Sequence, residues 1–487
     1  MLTLMLGFFS CSDINKDLEE MIPADSRGVV SINVKNVIEK GQLTDENGNF
    51  TIPQRLKGII SSNESSPFAE ALSLIKKINV NTEANIYCFM PNNIYNFATL
   101  IATTDADMAK KEIEKRSGLK FQTIEKIDFL RNGAISYVVE DDVVFIGREA
   151  KETMDASLAI AAKSYLHKSN NSIADNEDIM SVLHKENDVN AYMDMKGVQK
   201  MIANSESLTE TIKKFPIITL FTDSDIKALS LHLNFEKEGA KFEANVKADD
   251  NSDYLKLLDA TMSKPDPSFL KVIPTSMNYI LSLSLKGENL MKLEQIRKSV
   301  NLLSNLPSMD KLDFRSIVNA IDGPIAIAIS SGDGVNISSI ANDNWNLAIA
   351  AKTKNAKEIV SQIVAFASDM GQEDYIKNNR HVFSYEGMPV YLGEQDNVVY
   401  AIRLDHEMEE EFYYDIPDVK ERFTSCPFGF YAKMQESKGD SYFNFGFKNK
   451  TEGEGMFYSM HEGNPVETFL ELLCQINKQE YENQEQY

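Results

Sequence analysis

Ile22-Pro23-Ala24-Asp25-Ser26 leads into Val29-Val30-Ser31-Ile32-Asn33-Val34-Lys35, and much later Ile273-Pro274-Thr275-Ser276 leads into Ile280-Leu281-Ser282-Leu283-Ser284-Leu285-Lys286. Both stretches alternate as strands do. Val30, Ile32 and Val34 in the first, and Leu281, Leu283 and Leu285 in the second, fall on one face. A short helical stretch follows each strand. A segment that occurs twice with the same neighbours signals an internal repeat, and a repeat outranks every local reading of a fold.

The echo continues outward in the same order. Ser66-Pro67 opens a helix with Phe68, Leu72, Ile75 and Ile78 on its apolar stripe. Phe314, Ile317, Val318 and Ile321 form its counterpart, with Gly323 placed to end it. Strands follow at Asn85 to Met90 and at Pro324 to Ser330. Leu100-Ile101-Ala102-Thr103 and Leu347-Ala348-Ile349-Ala350 are strands, each leading to a helix with a polar start at Asp105 or Asn355. Asp141-Asp142 and Asp396-Asn397 turn hairpins into Val143-Val144-Phe145 and Val398-Val399-Tyr400. Asn190-Ala191-Tyr192-Met193 resembles Gly429-Phe430-Tyr431-Ala432. Leu229, Leu231 and Leu233 resemble Phe443, Phe445 and Phe447. Tyr254-Leu255-Lys256-Leu257-Leu258 resembles Phe469-Leu470-Glu471-Leu472-Leu473.

Hairpins dominate this order, so the expected class is α+β: two tandem duplicated copies with mainly antiparallel sheets flanked by helices. The copies are expected at 22–265 and 266–476, joined at the polar stretch Ser263-Lys264-Pro265-Asp266-Pro267. A polar tail occupies 477–487. At roughly 150 residues per domain, 487 residues would suggest about three domains. The repeat reduces this to two copies and a leader. Hydrophobic residues make up 43% of the chain, enough for a globular core. Fifty basic against 73 acidic residues leave a net charge of −23, which argues against nucleic acid as a partner.

Met1 to Ser10 is uncharged, mostly apolar and too short to span a bilayer. It ends Leu6-Gly7-Phe8-Phe9-Ser10-Cys11. A small residue before a cysteine, after an apolar run, resembles a bacterial lipoprotein box. The resemblance implies a signal peptide over 1–10, cleavage before Cys11 and a diacylglycerol on its sulfur. Phe8 stands where such boxes usually have Leu, and the absent basic leader points to a start upstream. The acidic stretch 11–21 is expected to be a tether between lipid and body. Together with the Ile22-Pro23-Ala24-Asp25 opening, the box resembles a family of uncharacterised Bacteroidetes lipoproteins known as a domain of unknown function. That resemblance implies an exported, lipid-anchored protein and transfers no catalytic residue.

The search for chemistry signals no catalytic, cofactor or metal residue. The six histidines lack HExxH spacing, and no GxSxG elbow, Walker loop or GxGxxG occurs. His232 sits between Leu231 and Leu233 on a strand and is expected to face solvent. Ser308-Met309-Asp310-Lys311 fits SxxK but reads as a helix cap, and Gly332-Asp333-Gly334 reads as a tight turn. Asp45-Glu46-Asn47-Gly48-Asn49 reads as a turn and not a calcium loop. The acidic run at Glu407 and Glu409 to Glu411 reads as a solvated face. Cys88 and Cys474 read as buried small hydrophobes, and with Cys426 they form no CxxC pair. Trp345, the only tryptophan, is expected to pack in the core with Leu347 and Ile349.

These observations lead to a lipid-anchored cell-envelope protein at the outer membrane, acting as a non-catalytic binding or structural module. No cofactor is expected. Its partners would be the membrane, through lipid on Cys11, and an envelope protein or glycan; a groove between the copies is the default site. The alternative is an envelope hydrolase, recognisable by a pocket where a His or carboxylate pair converges with buried polar groups.

Overall fold

The computed structural model describes residues 10–44, 51, 77–197, 199, 225–237, 239–305, 312–330, 346–385, 387–406, 408, 411–436, 439–459, 464 and 466. The chain divides into two compact units, Met1–Lys247 with Glu462–Tyr487, and Ala248–His461. The divide falls ahead of the Ser263–Pro267 joint, so the helix beginning at Asp253 belongs with the second unit.

The first unit contains α1 (Ser10–Met21), β1 (Gly28–Ile32), α2 (Val34–Lys40), β2 (Ile86–Phe89), β3 (Tyr95–Ala102) and α3 (Ala106–Ser117). Then come β4 (Gln122–Ile124), β5 (Ile127–Asn132), β6 (Ile135–Glu140), β7 (Val143–Glu149), α4 (Asp155–Ser164) and α5 (Glu177–Leu183). It closes with β8 (Val189–Asp194), β9 (Ile226–Glu236) and β10 (Gly239–Ala248). Among the described residues its sheet runs β10-β9-β8-β1-β2-β3-β7-β6-β5-β4, antiparallel from β9 to β4.

The second unit contains α6 (Asp253–Thr261), β11 (Tyr279–Lys286), α7 (Gly287–Leu290), α8 (Glu294–Ser304), α9 (Phe314–Ala320), β12 (Ile321–Ser330) and β13 (Asn346–Thr353). It continues with α10 (Ala356–Asp369), β14 (Tyr375–Lys377), β15 (Arg380–Tyr385), β16 (Met388–Gln395) and β17 (Val398–Arg403). The last elements are α11 (Pro417–Ser425), β18 (Phe428–Glu436), β19 (Gly439–Phe447) and β20 (Glu452–Ser459). Its antiparallel sheet runs β20-β19-β18-β11-β12-β13-β17-β16-β15-β14. The fold is therefore α+β, with antiparallel sheets flanked by helices.

The two strand orders are the same, and so are the registers. Val30 faces Cys88 and Ala191, while Leu281 faces Ile327 and Phe430. Ala191 faces Leu231 as Phe430 faces Phe445. Thr99 faces Ile146 as Ile349 faces Ala401. Matching irregular details recur as well. Ile173 donates its N–H to Ile22 O, and Tyr413 donates to Ile273 O. Thr103 N–H reaches Asp142 O, and Thr353 N–H reaches Asn397 O. Positive φ at Glu125-Lys126 and at Asn378-Asn379 marks tight hairpin turns of the type that matches strand twist.

Several expectations are corrected. The stretch 11–21 is not an extended tether: it lies in α1, because Ile14, Leu18 and Met21 recur at helical spacing and Leu18 is fully buried in the core. Val34 is not on the strand, because the Asn33 side chain accepts from Asn36 N–H and starts α2 there. The core faces of β1 and β11 are Val29 and Ser31, and Ile280, Ser282 and Ser284, so the Val30 and Leu281 face is the more open one. Gly323 does not end α9: that helix stops at Ala320, and Gly323 (φ 147) sits at an irregularity in β12. The Leu347 and Ile349 face of β13 is also the open one, since Ala348 and Ala350 point into the core. Alanines at 326, 328, 348 and 350 leave room there for Tyr391, Tyr400, Tyr413 and Tyr431. Trp345, the Ser66–Ile75 part of the first helix, Phe469–Leu473 and the tail lie outside the described residues.

Candidate functional site

A cavity of ≈ 710 Å³ opens in the first unit beside α1, the start of α2, the start of β2 and the end of α5. Its least expected member is Glu19. Helix α1 buries Leu18; just past its end Ile22 joins the same core, and the helix carries Glu19 inward beside Leu18. The Glu19 side chain is only 4% exposed. Tyr87 of β2 donates its hydroxyl to Glu19 Oε1 at 2.7 Å, and His184 Nε2, just past α5, approaches the same oxygen at 3.1 Å. Burial, and then the Glu19 charge, push the Tyr87 hydroxyl far above its usual range, so it stays a donor. Glu19 Oε2 has no partner among the described residues, and Glu19 lines the cavity.

Three asparagines complete the wall. Asn15 Oδ1 accepts from Asn85 N–H at 2.7 Å, Asn85 Nδ2 donates to Ser31 Oγ at 3.0 Å, and Asn33 Oδ1 caps α2. Three lysines, Lys16, Lys35 and Lys185, face three glutamates, Glu19, Glu83 and Glu186, around the cavity. Lys35 pairs with Glu83 at 3.2 Å. Lys185 reaches His232 Nε2 at 3.1 Å.

His232 corrects another expectation. It is fully buried, whereas Leu231 is 42% exposed. Both sides of β9 are covered near His232, since Leu233 and Phe235 opposite it are buried as well, and the ring is turned to polar groups. Lys185 donates to Nε2, so Nδ1 carries the proton and donates to Asn190 Oδ1 at 2.7 Å. Burial, reinforced by the Lys185 charge, lowers the His232 pKa to about 4. The ring is therefore neutral at pH 7.

The second unit acts as an internal control. By the shared registers and turns, Glu19, Tyr87 and His184 correspond to Leu270, Ala326 and Thr424. Asn190 and His232 correspond to Gly429 and Gly446. Leu270 and Ala326 are fully buried and apolar. A Cβ on Gly429 would meet the Phe423 ring at 2.6 Å, and one on Gly446 would meet Cys426 at 2.7 Å, so the second unit fills with an aromatic ring and a thiol the space where the first unit holds amide and imidazole. The fold is thus built without the polar groups. Burying a carboxylate is costly even when it is bonded, so the Glu19 cluster is not explained by folding.

Other sequence candidates do not converge on this cavity. Cys88 is a free thiol whose pKa burial pushes up to about 11, and Cys426 is buried and free. His406 contacts Asp405, and His381 contacts Asp374, both in the second unit. Among the described residues no group of three or more His, Cys, Asp or Glu is placed to hold a metal. Among them, too, no helix is long and apolar enough to cross a membrane. The side chain of Cys11, Cys474, Ser308, Lys311, Asp45 to Asn49, Gly332 to Gly334, and Glu407, Glu409 and Glu410 lie outside the described residues. The sequence signals missed Glu19 altogether, since a lone Glu in an acidic stretch carries no mark of burial.

Residues 18–452 match the family model described as a domain of unknown function, DUF4836. The chain belongs to that family. Glu19, Tyr87 and His184 all lie within the part of the chain that matches DUF4836. No curated protein matches the chain. Among solved structures, crystal form III of TP0453 is similar over 48% of this chain and 80% of its own, at 10% identity and a TM-score of 0.31.

Proposed function

We propose that this DUF4836 chain is a lipid-anchored protein of a Bacteroidetes-type cell envelope, held at the outer membrane through Cys11, and that it is a binding module. Its ligand site is the Glu19 cavity of the first unit. The observation that carries this reading is the buried Glu19 carboxylate, bonded on one oxygen, open on the other, and replaced by leucine in the second unit. Buried polar groups that a fold does not need mark sites where something else is bound. The two units' shared order and registers support descent from one duplicated copy, of which one kept a plain apolar core.

Native mass spectrometry of the protein released gently from its own membranes tests the reading. A small molecule retained by the wild type and lost from Glu19→Gln supports it. Identical spectra from both proteins contradict it.

One observation favours the hydrolase alternative. A carboxylate that holds an imidazole in place, as Glu19 holds His184, is the arrangement that orients a general base. A bound ligand recovered intact after long incubation with the protein argues for binding. Its conversion, abolished in His184→Ala, argues for hydrolysis.

A further inference from the structure

We infer that the ligand of the Glu19 cavity is a neutral saccharide, recognised through adjacent hydroxyl groups. This rests on the reading of that cavity as the ligand site. Three observations point to the class. First, the cations and anions around the cavity balance, and Lys35 and Lys185 already hold Glu83 and His232. A strongly charged ligand would therefore find no surplus of the opposite sign.

Second, the polar atoms left without a partner among the described residues are of both kinds. Glu19 Oε2 and Asn85 Oδ1 accept, while the Nδ2 groups of Asn15 and Asn33 donate. A hydroxyl both donates and accepts, so a pair of neighbouring hydroxyls is satisfied by such a mixture, whereas an ammonium needs acceptors only. Third, Met180 and Leu183 add apolar surface to the same cavity, which suits the C–H face of a sugar ring. The wall is built from side chains and helix ends and not from an open strand, so it lacks the backbone ladder by which an extended peptide is gripped.

An array of neutral mono- to trisaccharides probed with the full chain tests this. Hits are titrated in solution beside putrescine and glycylglycine as probes of the amine and peptide classes. The expected result is saccharide binding that weakens about tenfold or more in Glu19→Gln. His184→Ala, at a largely exposed side chain, gives a second readout if Glu19→Gln does not fold, and is expected to weaken binding severalfold. Thr424→Ala, at the matching position of the second unit, should leave binding unchanged. Putrescine or glycylglycine binding that depends on Glu19, with no saccharide bound, overturns the saccharide class and leaves the cavity reading standing. No Glu19-dependent binding by any probe overturns the saccharide class and counts against the cavity reading as well. Saccharide binding equal in wild type and both first-unit variants overturns the site.

Discussion

Glu19 owes its position to neighbours that sequence reading does not see together. Tyr87 and His184 stand 68 and 165 positions away, so nothing local in Lys16-Asp17-Leu18-Glu19-Glu20 signals a buried carboxylate. The burial of His232 is hidden from the sequence for the same reason. A period of two tells which residues share a face but not which face is covered, and the Asn190 and Lys185 partners come from another strand and a turn. His232 carries a pH prediction. Its native pKa of about 4 lies below the ordinary 6.5, so between those values the unfolded chain holds a proton that the native state refuses. Its contribution is therefore complete above pH 6.5 and is lost as the pH falls toward 4, by on the order of 3 kcal/mol. Urea titrations from pH 7 to pH 4.5 should show this fall. His232→Gln, which keeps a donor and an acceptor, should flatten it, and an unchanged slope would contradict the assignment.

At the scale of elements, the hairpins and the start of α3 are legible and the helix over 11–21 is not; the cap of α9 is Asp313 and not Ser308, and Asn355 heads α10 without a side-chain cap bond. Asp141-Asp142 and Asp396-Asn397 announce their turns through residue types that tolerate positive φ, and Asp105 caps α3 as expected. Helix α1 was hidden because its charged residues suit a tether, while its apolar stripe is only one residue wide. Leu18 settles the matter energetically. It is 1% exposed in the main core of the first unit, so Leu18→Ala should cost about 2–5 kcal/mol in chemical denaturation. A loss within experimental error would mean that 11–21 is a tether after all. Gly287 makes a sharper test of close packing in the second unit. A Cβ there would lie 1.8 Å from Val318 O, so Gly287→Ala should lower the melting temperature distinctly, and an unchanged melt would contradict the close contact.

At the scale of the molecule, the similar stretches at Ile22-Pro23 and Ile273-Pro274 lead into strands whose residues occupy the same register in the two sheets. What their likeness does not show is the difference between the units, because equivalence by pattern says nothing about which copy keeps polar groups inside. Attachment is tested separately: labelling with an alkyne fatty acid should mark the wild type and spare Cys11→Ala, and equal labelling of both would remove the lipid anchor. The net charge of −23 makes that anchor necessary to the proposal, since an anionic membrane would repel the body. The central claim is that the Glu19 cluster serves a ligand and not the fold, and thermal unfolding of Glu19→Leu/Tyr87→Phe tests it most directly. This pair removes both partners of the Tyr87–Glu19 bond and places at position 19 the leucine found at the matching position of the second unit. The expected melting temperature equals or exceeds that of the wild type, with ligand binding lost. A fall comparable to that of Leu18→Ala would show that the cluster holds the fold together, and would contradict the account.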